Sequence, residues 1–417
     1  MGSEWMLRDM VTRCGGKLYK VGGCVRDTFM EKEINDTDYM VTGLTEERAK
    51  KLFGESVGQS FPVFLFDVDG EKCEVALARK ERSTGDGYND FEVDVENVTI
   101  EEDLFRRDLT MNAIADDGAR LIDPYNGVKD IIEKTLRHVS EAFAEDPLRV
   151  YRVARFSAQM GFDVAPETKA LCISMKPMLP ALPGFRVYKE LDKVLKSRYP
   201  SRFFDFLQET GLLEVHFPEI VALDVPDKHD ETAYRHVMNL LDRARGKFPL
   251  KIMYGVLMHD FGKGVTPSDQ HPSHHNHDVL GEPLTREFGA RLQMNTNTIN
   301  FGAKCSLYHL IMRRVLEMKP GKILKYFGMN DSADLALVSY IDAVYRDGAD
   351  PVVETAIYNS MKKALVLVAE VKAEYTGNHL IEAGKVPGKT VTGKQFGEIL
   401  NMKRIELLKE KLVNQGI

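Results

Sequence analysis

No stretch of the 417 residues is an apolar run long enough to cross a bilayer, which leaves no helical membrane span to expect. The first residues hold an arginine and acidic side chains but no apolar core, so no secretory signal is expected either. Cysteine is scarce and scattered, at Cys14, Cys24, Cys73, Cys172 and Cys305, an odd total of 5 with no C-x-x-C pair. That argues against a disulfide framework or a zinc ribbon and fits a reducing, cytoplasmic setting. A basic surplus is missing too: the formal net charge is −7. A protein that wraps RNA over its whole surface would be basic, so any RNA contact here must use local patches. Two candidates are Arg313, Arg314, Lys319, Lys322 and Lys325, opposed only by Glu317, and the tail from Lys385 to Lys411. Each taken alone reads as a solvated helix face. Internal repeats and low-complexity tracts are absent. What remains is ordinary globular composition, 43% hydrophobic and 29% charged, with length for two or three domains.

The most informative stretch is Val21-Gly-Gly-Cys-Val-Arg-Asp27, followed by Asp36-Thr-Asp38. The pair Gly22 and Gly23 leads from an apolar strand into a helix start, where backbone N–H groups suit phosphates. Asp36 and Asp38 are expected on a second strand, where side chains two apart share a face at roughly 7 Å. Carboxylates that close repel each other unless a cation lies between them. Hard oxygen ligands suit Mg²⁺, which fills its shell with water and phosphate oxygens. Together these pieces describe a nucleoside-triphosphate site with metal and point to nucleotidyl transfer.

Alternating strands and helices are expected at first: strand Lys17–Val21, helix Cys24–Met30, strand Asp36–Thr42. The segments Phe61–Val68 and Lys72–Arg79 follow, joined by a hairpin turn at Asp69-Gly70. Arg79–Phe91 is polar and glycine-bearing and reads as a mobile loop. From about residue 100 the pattern is almost only helical, including Glu101–Ala115, Lys129–Leu136 and Glu141–Met160. The fold class is therefore α+β: a small head with a mixed sheet, then a long all-α body. Four segments are expected, a catalytic head over 1–140, a helical neck over 141–222, a helical domain over 223–350 and a helical tail over 351–417.

Glu74 lies on the hairpin strand. If that strand pairs beside the one bearing Asp36 and Asp38, a third carboxylate joins the metal site, the apparatus of two-metal phosphoryl transfer. Glu102 to Asn112 reads as one helix, with Glu102 and Arg106, and Asp108 and Asn112, spaced i, i+4. Internal pairing accounts for Glu102 and Arg106. Arg107 is placed to reach a triphosphate as a planar, permanent cation. In Glu145 to Arg155, the residues Asp146, Arg149, Arg152 and Arg155 recur every third position. Asp146 accepts from exocyclic amines and Arg149 donates to ring acceptors, so the two suit reading a base edge. Arg152 and Arg155 suit phosphates.

These motifs (GGxxRD, DTD, ExALAR, RRDLTMNA and EDPLRVYR) stand in the order seen in class II tRNA nucleotidyltransferases, the bacterial CCA-adding and poly(A) polymerase family, which the chain resembles over roughly residues 17–160. The resemblance implies that Gly23 and Arg26 contact incoming ATP or CTP and that Asp36 and Asp38 hold Mg²⁺. Arg107, Arg152 and Arg155 would complete the nucleotide site. Asp146 and Arg149 would act as the protein template, and the Arg79–Phe91 loop would serve the switch to adenine. It implies tRNA as partner and CCA addition as activity, with poly(A) synthesis as the alternative in the same family.

A second constellation comprises His236, His259-Asp260, His271, His274, His275 and His277. It resembles the HD phosphohydrolase superfamily. Neutral imidazoles with a carboxylate suit Ni²⁺ or Mn²⁺ and metal-assisted hydrolysis. Where that pattern would place its last aspartate this chain has Leu310, so His309 or Asp342 would have to substitute. A chain acting mainly as a phosphohydrolase on 2′,3′-cyclic or 2′-phosphates is the reading from another class, and a non-catalytic RNA-binding protein the last.

Overall fold

A computed structural model of the chain describes residues 3–34, 36–57, 62–83, 91–95, 97–228, 232–376 and 393–415. It forms two compact units, Met1–Leu182 and Pro183–Ile417, so the division falls inside the expected neck segment. No helix among the described residues is long and apolar enough to cross a membrane. All five cysteines are unpaired.

The first unit begins with α1 (Glu4–Arg13), β1 (Lys17–Val21), α2 (Gly23–Phe29), β2 (Asp38–Thr42) and α3 (Glu46–Phe53). The hairpin β3 (Val63–Val68) and β4 (Glu71–Leu77) follows, then a ribbon of β5 (Lys80–Ser83) and β6 (Phe91–Asp94). A mixed six-stranded sheet has the order β3-β4-β2-β1-β7-β8, its last strands being β7 (Ala115–Asp116) and β8 (Leu121–Ile122). Alternation builds it. Leu18, Tyr39 and Val41 pack on one face with Leu7 and Val11 of α1. Tyr19, Val21 and Met40 pack on the other with Leu104 and Ala113. Each such fully buried side chain contributes about 1.5–3 kcal/mol, so the central strands are fixed in register from both faces. At the hairpin turn, Asp69 and Gly70 have φ of 55° and 91°, a two-residue turn that matches strand twist.

The rest of this unit comprises α4 (Ile100–Phe105), α5 (Gly127–Ile132), β9 (Thr135–Leu136), α6 (Leu148–Met160), β10 (Asp163–Val164) and α7 (Pro166–Ser174). Several expectations are corrected. Asp36 precedes β2 rather than lying on it. The helix expected to Ala115 stops at Phe105; a 3₁₀ turn at Thr110–Asn112 and β7 follow, because Ala113 and Ala115 are needed in the sheet core. The helix expected from Glu141 is a 3₁₀ turn up to Glu145, and α6 starts only after Pro147, which favours a helix start. Short strands therefore interrupt the helical region. The two ends of the expected Arg79–Phe91 loop are strands, and its residues 84–90 lie outside the described residues.

The second unit is helical: α8 (Gly184–Leu195), α9 (Ser201–Glu209), α10 (Leu213–His216), α11 (Pro218–Val221), α12 (Ala233–Ala244) and α13 (Leu250–Met258) come first. Then come α14 (His277–Arg291), α15 (Thr296–Arg313), α16 (Pro320–Phe327), α17 (Ser332–Val344), α18 (Pro351–Glu374) and a final helix, Gly393–Gln415. Directly after His259-Asp260, a Cβ at Gly262 would stand 1.9 Å from the His277 carbonyl oxygen. Only glycine lets α14 approach the end of α13 this closely.

Candidate active site and candidate metal centre

Parallel pairing of β2 with β4 sets Asp38 directly opposite Glu74. Both residues are exposed, as is Asp36. The surrounding protein desolvates the Asp38 carboxyl, and Glu74 and Asp36 add repulsion, so its pKa is raised although Arg107 pulls the other way. An anionic cluster with raised affinity for protons is one with raised affinity for a cation, and these hard carboxylates fit Mg²⁺. The Cys24 thiol donates to the carbonyls of Val21 and Asp38, tying the start of α2 to the start of β2.

Gly22 joins β1 to α2 with φ of 73°, and a Cβ there would lie 3.0 Å from Nη1 of Arg107. Glycine is required on both counts. Arg107 is held by Asp103, whose Oδ2 accepts from its Nε and Nη2 at 3.3 and 3.2 Å, and by the Asn112 carbonyl at 3.1 Å. Asp103 also binds Arg106 and is completely buried. Burial opposes its charge, but Arg107 and Arg106 outweigh it and hold the carboxyl below the usual range. Glu102 instead caps α4 with Thr99 and pairs with Lys80, so the expected pairing with Arg106 is replaced.

A continuous polar line runs through the unit. Arg26 Nη1 donates to Asn112 Oδ1 at 2.7 Å, and Asn112 Nδ2 donates to Asp108 Oδ1 at 3.0 Å. Asp108 Oδ2 accepts from Arg152 Nε at 2.7 Å and pairs with its Nη2 at 2.5 Å. Burial opposes the charge on Asp108, and Arg152 and Asn112 outweigh it, so its carboxyl stays ionised far into acid. Phe156 gathers three guanidiniums: Arg155 at 3.9 Å, Arg26 and Arg152 each at 5.7 Å from the ring centroid. Sequence reasoning passed over Phe156 and Asp103 as functional positions. Their signal was present, an aromatic directly after Arg155 and four residues after Arg152, and an acid four residues before Arg107. Asp146 precedes α6, where its side chain accepts the Leu148 N–H at 3.0 Å. Arg149 is buried, and its guanidinium donates to the carbonyls of Ala142 and Arg106 at 2.6 and 2.7 Å.

In the second unit, two buried groups of possible ligands come together, His236, His259 and Asp342, and Asp260, His277 and His309. Asp260 faces both. Its Oδ2 lies 3.1 Å from His259 Nε2 and 3.5 Å from His236 Nε2, and its Oδ1 lies 3.3 Å from His277 Nε2 and 3.6 Å from His309 Nε2. His259, His277 and His309 each direct Nδ1 at a backbone carbonyl, at 2.8, 2.7 and 2.9 Å. That partner makes Nδ1 the donor and turns Nε2 into the cluster, the orientation a metal ligand needs. In His259 burial is outweighed by Asp260 and the pKa rises to about 10, so a cation would have to displace its Nε2 proton. Burial, then His259, lowers the His309 pKa to about 4, so it is neutral at pH 7. His259 Nε2 and Asp260 Oδ2 are buried, and Lys263 Nζ stands 2.8 Å from the same carboxylate oxygen. Imidazole nitrogens and carboxylates converging in this way fit a transition-metal cation.

Leu310 itself is exposed, and the carboxylate that joins this cluster from another helix is Asp342 of α17, 3.0 Å from His236. His271 and His274 do not join. His274 bonds Thr266 and the Pro226 carbonyl, His271 points to the Thr266 carbonyl, and His275 is exposed.

Paired carboxylates on a mixed sheet beside a glycine-led helix start define a nucleotidyltransferase head. A family model described as the poly A polymerase head domain matches residues 18–137, and one for a probable RNA- and SrmB-binding site of polymerase A matches 161–223. The chain is 42% identical over 328 residues to the multifunctional CCA protein of Shewanella denitrificans, spanning 76% of this chain and 79% of that protein. The chain belongs to the class II tRNA nucleotidyltransferases, in their CCA-adding branch. Its fold resembles the CCA-adding enzyme of Bacillus stearothermophilus in complex with CTP, with TM-score 0.69 and 21% identity over 98% of this chain and 97% of that one. It also resembles the Thermotoga maritima CCA-adding enzyme complexed with tRNA, with TM-score 0.59 and 20% identity over 98% and 94%.

Proposed function

We propose that the first unit adds C, C and A to the 3′ end of tRNA, taking CTP twice and ATP once and releasing pyrophosphate. The observation that carries this reading is the β2–β4 register, which sets Asp38 against Glu74 beside the Gly22–Gly23 helix start. Asp36 and Asp38 would hold Mg²⁺, which when bound neutralises the triphosphate and acidifies the attacking hydroxyl. The 3′ oxygen bonds to the α-phosphorus, the bond from that phosphorus to the bridging oxygen breaks, and pyrophosphate leaves. Gly22 and Gly23 present backbone to the phosphates, and Glu74 orients the hydroxyl. Arg26, Arg107, Arg152 and Arg155 hold the triphosphate, with Asp108 and Asn112 fixing two of them. Asp146 and Arg149 read the base. The tRNA acceptor end is the partner, and the cytoplasm, where tRNA and free thiols occur together, is the setting.

The test is incubation of tRNA lacking its 3′ end with Mg²⁺ and labelled CTP and ATP, separately and together. Two CMPs and one AMP, then arrest, are expected. A long adenylate ladder from ATP alone would make the chain a poly(A) polymerase.

The six-residue cluster supports a second activity of the HD type, hydrolysis of 2′,3′-cyclic or 2′-phosphates. His236, His259, Asp342 and Asp260 Oδ2 would hold one cation, and His277, His309 and Asp260 Oδ1 another. Ni²⁺ and Mn²⁺ suit such donors and supply a bound nucleophilic water.

A further inference from the structure

The walls of this cluster contain two fixed cations. Lys263 Nζ lies 2.6 Å from Asp227 Oδ2 and 2.8 Å from Asp260 Oδ2, with its side chain only 7% exposed. Arg346 Nη2 donates to Asp342 Oδ1 at 2.7 Å, and its side chain is 22% exposed. The other charged or ligating side chains of the cluster are all at 9% exposure or below. Arg346 is therefore the most solvent-exposed of the charged side chains that touch the cluster.

Charge points to what enters. With the imidazoles bound to metal as neutral ligands, three carboxylates (Asp227, Asp260, Asp342) against two cations (Lys263, Arg346) leave one negative charge from the side chains. One divalent cation reverses that sign, and a second leaves a strongly positive buried site. Such a site is unfavourable unless an anion of about two charges joins it, which is the charge of a phosphate monoester. A guanidinium matches two phosphate oxygens at once.

We propose that Arg346 is the phosphate-recognition residue of this cluster, paired with Asp342 in this structure and turning to the phosphate oxygens of a phosphorylated ligand when Asp342 takes a cation. The inference rests on the HD reading above and deepens it by assigning recognition of the substrate's phosphate. Full-length protein, with R346Q and R346K beside it, would be titrated with Mn²⁺ and then, Mn²⁺-loaded, with inorganic phosphate, both by calorimetry. Thermal melting checks that each variant is folded. R346Q should bind Mn²⁺ at least as well as the parent, since a competitor for Asp342 is gone, while phosphate affinity falls 10- to 100-fold. R346K, a point charge without the fork, should lie between. Unchanged phosphate affinity in both variants would overturn the role of Arg346, leaving it a neutraliser of Asp342. Parent protein that takes up no Mn²⁺ would overturn the HD reading itself, and with it the arginine's role.

Discussion

Replacing Asp108 by asparagine removes one charge from the line joining Arg26 to Arg152 and changes little else in shape. Asp108 Oδ1 accepts from Leu109 N and Asn112 Nδ2 at 2.8 and 3.0 Å, and an asparagine oxygen keeps both. Oδ2 faces Arg152, so the new amide would set donor against donor and lose two charge-assisted hydrogen bonds. Each is worth about 1.5–3 kcal/mol. The Arg152 side chain is 34% exposed, and water takes up part of its loss, which lowers the total to about 2–4 kcal/mol. For a unit of this size that is a fall in Tm of roughly 4–16 °C. The sign with pH follows from the depressed carboxyl. Its contribution is complete above the unfolded value near pH 4 and is lost as pH falls through the lower folded value. The D108N deficit should thus be constant from pH 6 to 8 and shrink in strong acid. Calorimetric melting against pH measures this, and nucleotide incorporation should show a raised KM for both CTP and ATP as Arg152 loses its anchor. A variant melting within about 1 °C of the parent at pH 7, with unchanged KM, would refute the reasoning.

Asp36→Ala should cut CMP and AMP incorporation about a hundredfold or more, since a lost metal ligand forfeits several kcal/mol of charge stabilisation; phosphoester hydrolysis by the same sample should be unaffected, and joint loss would argue for one shared site. Gly22→Ala should cost about 1–3 kcal/mol from its positive φ and press its Cβ on Arg107, raising nucleotide KM in steady-state assays. Arg313 pairs with buried Glu354 of α18, so R313E should lower Tm through about 2–3 kcal/mol after allowance for solvent. R314E, by contrast, should weaken tRNA binding and flatten its salt dependence with Tm unchanged. A filter-binding titration at two salt concentrations separates the pair.

Local signals were legible wherever chemistry and geometry are local. Gly22 marks a positive φ, Asp69-Gly70 a tight turn, and Lys17–Val21 a strand, each within a few residues. Long-range pairing was not. Whether Glu74 meets Asp38 depends on a parallel register between strands 36 residues apart, which no period displays. The stretch from Arg107 to Ala115 looked helical because its apolar spacing serves either element, and the sheet core decided it. Leu310 reads as a missing ligand when α15 is taken alone, whereas Asp342 reaches the cluster from α17 through the packing of two helices, which no local spacing displays.

Arg149 has a guanidinium with five N–H donors, two of which end on the carbonyls of Ala142 and Arg106. Main-chain carbonyls do not titrate, are not exchanged by substitution and do not depend on salt. The guanidinium proposed above to read the base is thus anchored to the backbone, set like the fixed jaw of a caliper. Mutation elsewhere in the site can shift which nucleotide is held against that jaw, while the jaw itself stays where the fold puts it.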